Sequence, residues 1–247
     1  MAFLLWNERV KAVQTSDRKS PEFDQYALSY AELLDDPARN RFARDPLYFH
    51  QRKWALIENF LKGANQTAST QTWLDVGCGR GELLELGGAN FALAMGCDPS
   101  SSMLTSNSPF KMYQQPSLVE LPFKNNSVDF VTAVCVYHHV HGEARTLLTN
   151  EIRRVLVPGG LCCIIEHNPR NPVTRRIVKR CPVDIDAELL TAELATRLFE
   201  ASGFESLGTD FFLYLPEFFF NKFGALEKML SKIPFGGQYA LFCRTPL

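Results

Sequence analysis

The chain has 247 residues, with 26 Lys and Arg against 27 Asp and Glu and a formal net charge of -1. Its 46% hydrophobic and 21% charged residues are typical of a globular domain. Its length favours one enlarged domain that spans residues 1–247. A near-neutral chain without runs of like charge provides no field that would hold a polyanion, so we expect no nucleic-acid partner.

The cysteines and the first residues bear on localisation. There are seven cysteines, an odd count, and Cys162 and Cys163 are adjacent within an apolar run, which favours buried thiols in a reducing, cytoplasmic protein. The opening MAFLLW is short and a polar stretch follows it, so we expect no signal peptide there. No apolar run approaches the length of a transmembrane helix, and we predict no spanning segment.

The beginning of the chain has a helical texture. Residues 23–61 are rich in aromatic and charged side chains, Tyr26 and Tyr30 are four residues apart, and HQRKWALIENFL has helical periodicity. The polar stretch GANQTASTQ at 63–71 then reads as a linker.

Beyond Trp73, short apolar runs alternate with helix-like segments. The runs TWLDV, FALAMGCD, VDFVTAVCV and LCCIIE are bounded by turn residues and are typical of strands buried on both faces. Residues 141–156 carry an apolar helical face, and 191–203 predict another helix with Thr191 as its N-cap. This alternation predicts an α/β protein with a parallel sheet between two layers of helices.

The strongest local signal is Asp75-Val-Gly-Cys-Gly-Arg-Gly81, between a predicted strand and the helix-forming ELLEL. Its three glycines allow a tight turn and a close approach to a ligand that any Cβ would block. The spacing G-x-G-x-G differs from the dinucleotide pattern, whose third glycine comes one residue later, and it suits a ligand without phosphates. Taken alone, the triplet is equally compatible with a structural strand-to-helix turn.

Asp98 is the second feature of this region. It stands at the end of the next predicted strand, 21 residues after Gly77, where a carboxylate accepts hydrogen bonds from the two hydroxyls of a ribose. The alternative role, as a helix N-cap before Pro99 and Ser100, does not exclude the first. The two features together indicate a nucleoside ligand.

Four motifs in order resemble those of class I S-adenosylmethionine-dependent methyltransferases of the type 11 group: DVGCGRG, GCDPSSSML, ELPFKNNSVDFVTAVCVYHHV and EIRRVLVPGG. The resemblance implies a Rossmann-like, seven-stranded, mostly parallel sheet flanked by helices, with QYALFCR as an antiparallel last strand. It further implies a helical lid at 1–65, a cofactor-binding core at 70–170, and acceptor-side helices and last strands at 171–247.

The resemblance also implies a binding site for S-adenosylmethionine. It places the methionine part of the cofactor beside Asp75, Gly77, Cys78 and Gly79. It places the ribose at Asp98, with Tyr30 closing over the cofactor from the lid. The remaining cofactor contacts would come from the adenine neighbours Pro99, Met103, Ser117 and Leu118, and from Cys135 and Val136 below the sulfonium. Ser117 is a departure, because the family commonly has an acidic residue there.

A hydroxyl acceptor needs a general base, and histidines follow the strand end that faces the methyl group. We expect His139 or His138 to be this base, and the alternative is that they are structural histidines. Tyr137 and His167 are candidates for substrate contact because the carboxyl ends of sheet strands border the ligand crevice. We expect no metal site. The five basic residues within 170–180 predict either an anion site or a solvated helix face.

The segment FFLYLPEFFFNKFGALEKMLSKIPF has more aromatic side chains than one helical face can bury. Phe219, Phe223 and Leu226 belong to a stripe that predicts core packing. Phe218 and Phe220 fall off that stripe, and we predict that they line an acceptor pocket. The alternative is an interfacial helix in peripheral contact with a membrane.

We therefore expect an S-adenosylmethionine-dependent methyltransferase that acts on a small or lipid-linked acceptor, with oxygen as the favoured methylated atom. The alternatives are a non-catalytic S-adenosylmethionine-binding protein and, less favoured, a nicotinamide-dependent oxidoreductase. The last should show G-x-G-x-x-G, which this sequence lacks. The sequence contains no signal for an oligomeric state.

Overall fold

A seven-stranded sheet in the order β3-β2-β1-β4-β5-β7-β6 forms the centre of a computed structural model, which describes residues 22–45, 47–64, 66–104 and 108–247. The opening MAFLLW and residues 1–21 of the predicted lid lie outside the described residues. The strands are β1 (Thr72–Val76), β2 (Leu93–Asp98), β3 (Lys111–Gln114), β4 (Val128–Val134), β5 (Leu156–His167), β6 (Glu205–Phe212) and β7 (Gln238–Arg244).

The sheet has the predicted mixture of strand directions. Strands β1 to β5 pair in parallel, whereas β7 runs antiparallel between β5 and β6. The fold class is therefore confirmed, including the antiparallel strand QYALFCR. The residues LVPGG at 156–160, the end of the motif EIRRVLVPGG, are the irregular start of β5: Val128 pairs with Leu156, and the regular register resumes at Phe130 and Leu161.

Helices cover both faces of the sheet. They are α1 (Tyr30–Leu33), α2 (Pro37–Phe42), α3 (Leu47–Gly63), α4 (Glu82–Gly87), α5 (Glu143–Val155), α6 (Pro172–Arg180), α7 (Ala192–Ala201) and α8 (Glu217–Leu230). Thr191 caps α7 as predicted, because its side chain accepts the N–H of Leu194 at 3.2 Å.

Two hydrophobic cores lie on the two sides of the sheet. On one side, α5 and α7 bury Leu148, Ile152 and Phe199. On the other side, α3 buries Ile57 and Leu61 in the same core as Trp73 of β1. Helix α3 and Ala43 belong to a core, so the described part of the predicted lid that remains outside both cores is residues 22–41.

Helix α8 differs from the sequence expectation. Phe219, Phe223 and Leu226, predicted to be core, are exposed, and the buried residue of the helix is Glu227. The stripe expectation is therefore wrong, because the helix turns a hydrogen-bonded carboxylate toward the protein. Among the helices of the described ranges, none has the length and hydrophobicity needed to cross a bilayer.

Candidate active site

The glycine loop after β1 is curled against the ends of two other strands. Gly77, Gly79 and Gly81 all have positive φ, at 67°, 53° and 85°. The N–H groups of Gly77 and Cys78 donate to the carbonyl of Cys97 at 2.8 and 3.0 Å. A Cβ on Gly77 would lie 2.5 Å from Cγ2 of Val136, so glycine is needed there for the loop to approach the end of β4.

Asp98, at the end of β2, holds this loop. Its carboxylate accepts the N–H of Gly79 at 3.0 Å and the N–H of Ser100 at 2.8 Å. The side chain is buried at the edge of a cavity, and burial raises the pKa of its carboxyl. The two predicted features of the site are thus joined by a direct hydrogen bond.

Asp75 lies below the loop at the end of β1. Its carboxylate accepts the hydroxyl of Thr132, whose oxygen accepts the indole N–H of Trp73 at 2.8 Å. Burial raises the pKa of Asp75 to about 7, although the Thr132 hydrogen bond and the charge of Lys53 oppose this shift. Near neutral pH the carboxyl therefore titrates, and a cationic ligand group would favour its ionised form.

A cavity of about 1210 Å³ opens beside the glycine loop. Typical ligand pockets have volumes of about 300–1000 Å³, so this cavity is larger than a typical pocket for a single ligand. One part is bordered by the loop and the carboxyl ends of β1, β2 and β4. The other is walled by apolar side chains of the first helices and of the region around α6, which include Leu34, Phe42, Phe49, Ile177 and Val183.

Three buried polar atoms at the cavity wall have no hydrogen-bond partner among the residues that the structure describes. They are Oε1 of Gln115, Nδ1 of His50 and Oε1 of Gln238. The backbone N–H of Gln115 donates to the carbonyl of Asp98 at 2.9 Å, which places this residue beside the predicted ribose position. Buried polar atoms are normally paired, so a polar ligand that bonds to them would remove an unfavourable desolvation.

Cys135 follows β4 with a positive φ of 58°. Its sulfur lies 3.7 Å from Nζ of Lys53 and 3.5 Å from Nε2 of Gln238. Burial by itself raises the pKa of the thiol, but Lys53 and His167 outweigh it and lower the pKa to about 7.

The histidines after β4 belong to a network of buried carboxylates. His138 Nδ1 lies 2.6 Å from Oε2 of Glu166, at the end of β5. The other oxygen of Glu166 accepts the N–H groups of Val136 and Tyr137 at 2.8 and 2.7 Å. Oδ1 of Asp184 lies 3.5 Å from His138 Nε2 and 3.4 Å from His139 Nε2.

This network sets the protonation state of His138. Although burial lowers the pKa of His138, Glu166 and Asp184 raise it to about 10. His138 lowers the pKa of Glu166 in return, and both histidines lower that of Asp184, in each case against the opposite effect of burial. His138 is therefore protonated at neutral pH and has no free lone pair to accept another proton.

The segment before α1 covers the site from above. The ring of Phe23 meets that of His139 edge-on, with centroids 4.9 Å apart. The carboxylate of Asp24 accepts a hydrogen bond from the hydroxyl of Ser100 and another from the backbone N–H of Ser102, the latter at 3.3 Å. The guanidinium of Arg80, within the glycine loop, donates to the carbonyl of Ala27.

Residues 74–164, which include the glycine loop, Asp98 and both histidines, match the family model of a methyltransferase domain. Residues 74–164 therefore form a methyltransferase domain, and the sheet around them has the fold of S-adenosylmethionine-dependent methyltransferases. No curated protein matches the chain. Many solved structures have a similar fold. The three described next are less than 25% identical to the chain, so they support the fold and not a specific function.

Three of these structures illustrate the range. A methyltransferase from Archaeoglobus fulgidus is 19% identical with a TM-score of 0.58, over 81% of this chain and 100% of the other. One from Thermotoga maritima is 16% identical with a TM-score of 0.63, over 91% and 98%. The [4+2]-cyclase SpnF is 18% identical with a TM-score of 0.56, over 80% and 83%.

The cavity of the methyltransferase fits S-adenosylmethionine, the methyl donor of this class. The glycines with positive φ leave the loop backbone uncovered by side chains. A Cβ added to Gly79 would lie 3.6 Å from the terminal methyl of Met103, and both residues line the cavity. Asp75 offers an anion for the amino group of the methionine part, and Asp98 an acceptor for the ribose. Gln115 has an unpaired acceptor beside them.

Most predicted site residues border this one cavity. They are Tyr30, Asp75, Gly77, Cys78, Gly79, Asp98, Pro99, Met103, Leu118, Cys135, Val136, His138, His139 and His167. The other four do not line it. Ser117 lies in an isolated β-bridge with Glu120, Tyr137 is buried with its hydroxyl 2.9 Å from that of Thr149, Phe218 is exposed, and Phe220 packs on Arg52.

Sequence reasoning missed several polar residues at the cavity wall or directly behind it. Glu166 carries a weak signal, since it ends a predicted strand at the carboxyl edge of the sheet. Asp184 lies in a short 3-10 helix and Lys53 lies within α3, and neither has a spacing that relates it to the histidines. Both come close to the site only through the packing of the elements that carry them.

Proposed function

We propose that this methyltransferase methylates a hydroxyl oxygen of an apolar acceptor, either a small molecule or a lipid-linked one. The observation that carries the proposal is the position of His139. It lines the same cavity as the glycine loop and the apolar side chains, and its Nε2 lies 3.4 Å from Oδ1 of Asp184.

The apolar region of the cavity supports an apolar acceptor. The cofactor accounts for the space beside the glycine loop, and the remaining walls carry Leu34, Phe42, Phe49 and Ile177. Burying an apolar group there is favourable by about 25 cal/mol for each Å² removed from water. The unpaired Nδ1 of His50 and Oε1 of Gln238 provide polar contacts that would orient a polar end of the acceptor.

His139 is the better base of the two histidines. Asp184 favours the tautomer with its proton on Nε2, which leaves the lone pair of Nδ1 to accept the proton of an acceptor hydroxyl. The carboxylate then stabilises the imidazolium that forms. His138 is already protonated at neutral pH, so it acts as a positioning residue that holds Asp184 and Glu166.

S-adenosylmethionine supplies a methyl group on a positively charged sulfur, a leaving group that needs no acid. The remaining tasks for the protein are alignment and the exclusion of water. Cys135 and Val136 line the cavity after the end of β4, and the ring of Phe23 packs edge-on against His139. The bonds of Asp24 and Arg80 hold this covering segment in place.

The test is a search for the product, followed by one substitution. Lipid and small-molecule extracts are incubated with the protein and labelled S-adenosylmethionine, and the product is identified by mass spectrometry. His139→Ala should then lower kcat by about 10² to 10⁴ without weakening cofactor binding. His141→Ala is the matched control, because His141 is half-exposed and pairs with Glu188 at 3.3 Å.

Three outcomes would contradict the proposal. They are a product methylated on nitrogen or carbon, a His139→Ala variant that keeps the parental kcat, and a bound cofactor without any product.

The nitrogens of His138 and His139 and the Asp184 oxygen also lie within 4.8 Å of one another, close enough for a metal. The prediction of no metal requires that a chelator leave turnover unchanged.

A further inference from the structure

Helix α8 and the loop after it present an exposed aromatic face. The side chains of Phe218, Phe219, Phe223 and Met229 are 62%, 50%, 56% and 79% exposed, and Phe235 in the following loop is 60% exposed. Single exposed apolar residues are ordinary, but a concentration of them on one helix marks an interaction surface. We refer to these five residues as the aromatic face.

The orientation of α8 is fixed by a carboxylate on its inner side. Glu227 is buried, forms an ion pair with Arg52 of α3, and accepts the backbone N–H groups of Leu213, Tyr214 and Leu215. Rotating the helix to bury its phenylalanines would expose or unpair these groups. A kink at Phe223 divides the helix, so Glu227 holds the half after the kink and Phe220, packed on the same Arg52, holds the half before it. The aromatic face is therefore held outward by contacts on the opposite side.

The exposed charges of this region are basic. Lys222 and Lys228 are exposed, and Nζ of Lys222 lies 4.3 Å from the ring centroid of Phe218. Lys232, in the loop that follows, is paired with Asp210 at 2.6 Å. Both acidic residues of α8 are engaged, since Glu217 accepts the N–H of Arg44 at 3.0 Å and Glu227 is buried.

The aromatic face adjoins the cavity. Tyr214 and Pro216, which directly precede α8, line the cavity. At the other end of the face, the carbonyl of Phe235 accepts the side-chain N–H of Asn171, another residue of the cavity wall, at 2.8 Å. A surface that covers the aromatic face would therefore also lie next to the region we assign to the acceptor.

We propose that the aromatic face docks on the surface of an anionic lipid bilayer. The phenylalanines and Met229 would enter the boundary between head groups and acyl chains, and the lysines would pair with anionic head groups. A second copy of the chain suits this surface less well, because a symmetric contact would bring the same lysines of both copies together. The benefit of docking to the enzyme rests on the proposed apolar acceptor. Binding of the chain to a bilayer can be measured without turnover.

The experiment is co-sedimentation of the full chain with vesicles of phosphatidylcholine alone and of phosphatidylcholine mixed with phosphatidylglycerol. We expect binding to the mixed vesicles that weakens as salt is added. Replacing Phe218, Phe219 and Phe223 with Ser should lower the partition coefficient at least about tenfold. Lys222→Glu with Lys228→Glu should weaken binding to the mixed vesicles only.

The matched control is Leu194→Ser, which removes a 54% exposed apolar side chain from α7. Calorimetric titration with S-adenosylmethionine checks that each variant retains its fold and its cofactor site. Absence of binding by the parent chain would overturn the proposal, as would equal losses in the Leu194 and phenylalanine variants. A dimer that sediments without vesicles and dissociates in the phenylalanine variant would assign the face to a second copy instead. None of these results depends on the acceptor, so membrane docking and O-methylation can fail separately.

Discussion

The carboxylate of Glu166 bonds His138 Nδ1 at 2.6 Å with one oxygen, while its other oxygen accepts the backbone N–H groups of Val136 and Tyr137. One side chain at the end of β5 thus fixes the turn that follows β4. That turn brings His139 to the cavity wall, so the position of the proposed base depends on a residue that does not itself line the cavity.

His138 should make stability depend on pH. Its pKa is about 10 in the folded protein, against an ordinary value of 6.5, so its stabilising effect is full below about pH 6.5 and is lost as the pH rises through 10. We expect His138→Gln to lower the free energy of unfolding at about pH 6 and to have a smaller effect at about pH 10.5. Urea unfolding at both values measures this, and a pH-independent loss would contradict it. His141→Gln is the surface control.

Asp98→Ala should weaken cofactor binding. The change removes the acceptor that holds the N–H groups of Gly79 and Ser100, together with the proposed ribose contact, for a loss of about 1.5–3 kcal/mol in binding free energy. Asp98→Asn keeps one acceptor oxygen and should lose less. Calorimetric titration with S-adenosylmethionine gives both values, and equal affinities for the parent and the Ala variant would reject the assignment.

Asp75 should link cofactor affinity to pH. Its pKa is about 7 in the free protein, and the ionised form is the one that attracts a ligand ammonium. Lys53, Glu82 and Asp98 are the charged groups that act on it. Affinity should therefore rise roughly tenfold between about pH 5.5 and 7. In Asp75→Asn this dependence should be largely absent, and a parent chain with the same affinity at both values would show that Asp75 does not meet the ammonium.

Phe218 and Phe220 should differ in their effect on folding. The ring of Phe220 lies 3.4 Å from the guanidinium carbon of Arg52 and contacts Tyr48, so Phe220→Ser should lower the free energy of unfolding by roughly 1–3 kcal/mol. Phe218 is exposed, and Phe218→Ser should change it by less than about 0.5 kcal/mol. Comparable losses in both variants, measured by urea unfolding, would show that Phe218 is also packed.

The segment before α1 should become more protected when the cofactor binds. Asp24 and Ala27 hold it over the glycine loop through Ser100 and Arg80, so a ligand under it should slow its opening. Hydrogen–deuterium exchange of residues 22–30 with and without S-adenosylmethionine measures this. Helix α7 serves as the internal control, because none of its residues lines the cavity. Equal exchange in both states would mean that this segment is not a lid.

The sheet could be read from the sequence because its inner strands are continuous apolar runs. The exceptions were β3 and β6. β3 is a short edge strand with mostly exposed side chains, and β6 has only two fully buried residues, Phe211 and Phe212, so neither shows the pattern of a buried strand.

The cofactor part of the site was also readable, because Gly77, Gly79 and Asp98 act through backbone geometry at positions fixed by strand ends. The acceptor part was not. Asp184 reaches the histidines from a segment more than 40 residues away, and Glu227 reverses the expected orientation of α8 through hydrogen bonds to distant N–H groups. Such long-range polar contacts leave no periodic trace in a sequence.

The lowered pKa of Cys135 has a practical consequence for labelling. In the other six cysteines burial raises the pKa of the thiol, in Cys181 to about 11 and in Cys243 to about 12. A maleimide near neutral pH should therefore alkylate Cys135 first, since the thiolate is the reactive form. Because Cys135 lines the cavity, the rate of alkylation would report occupancy directly and allow unknown acceptors to be screened by the protection they give.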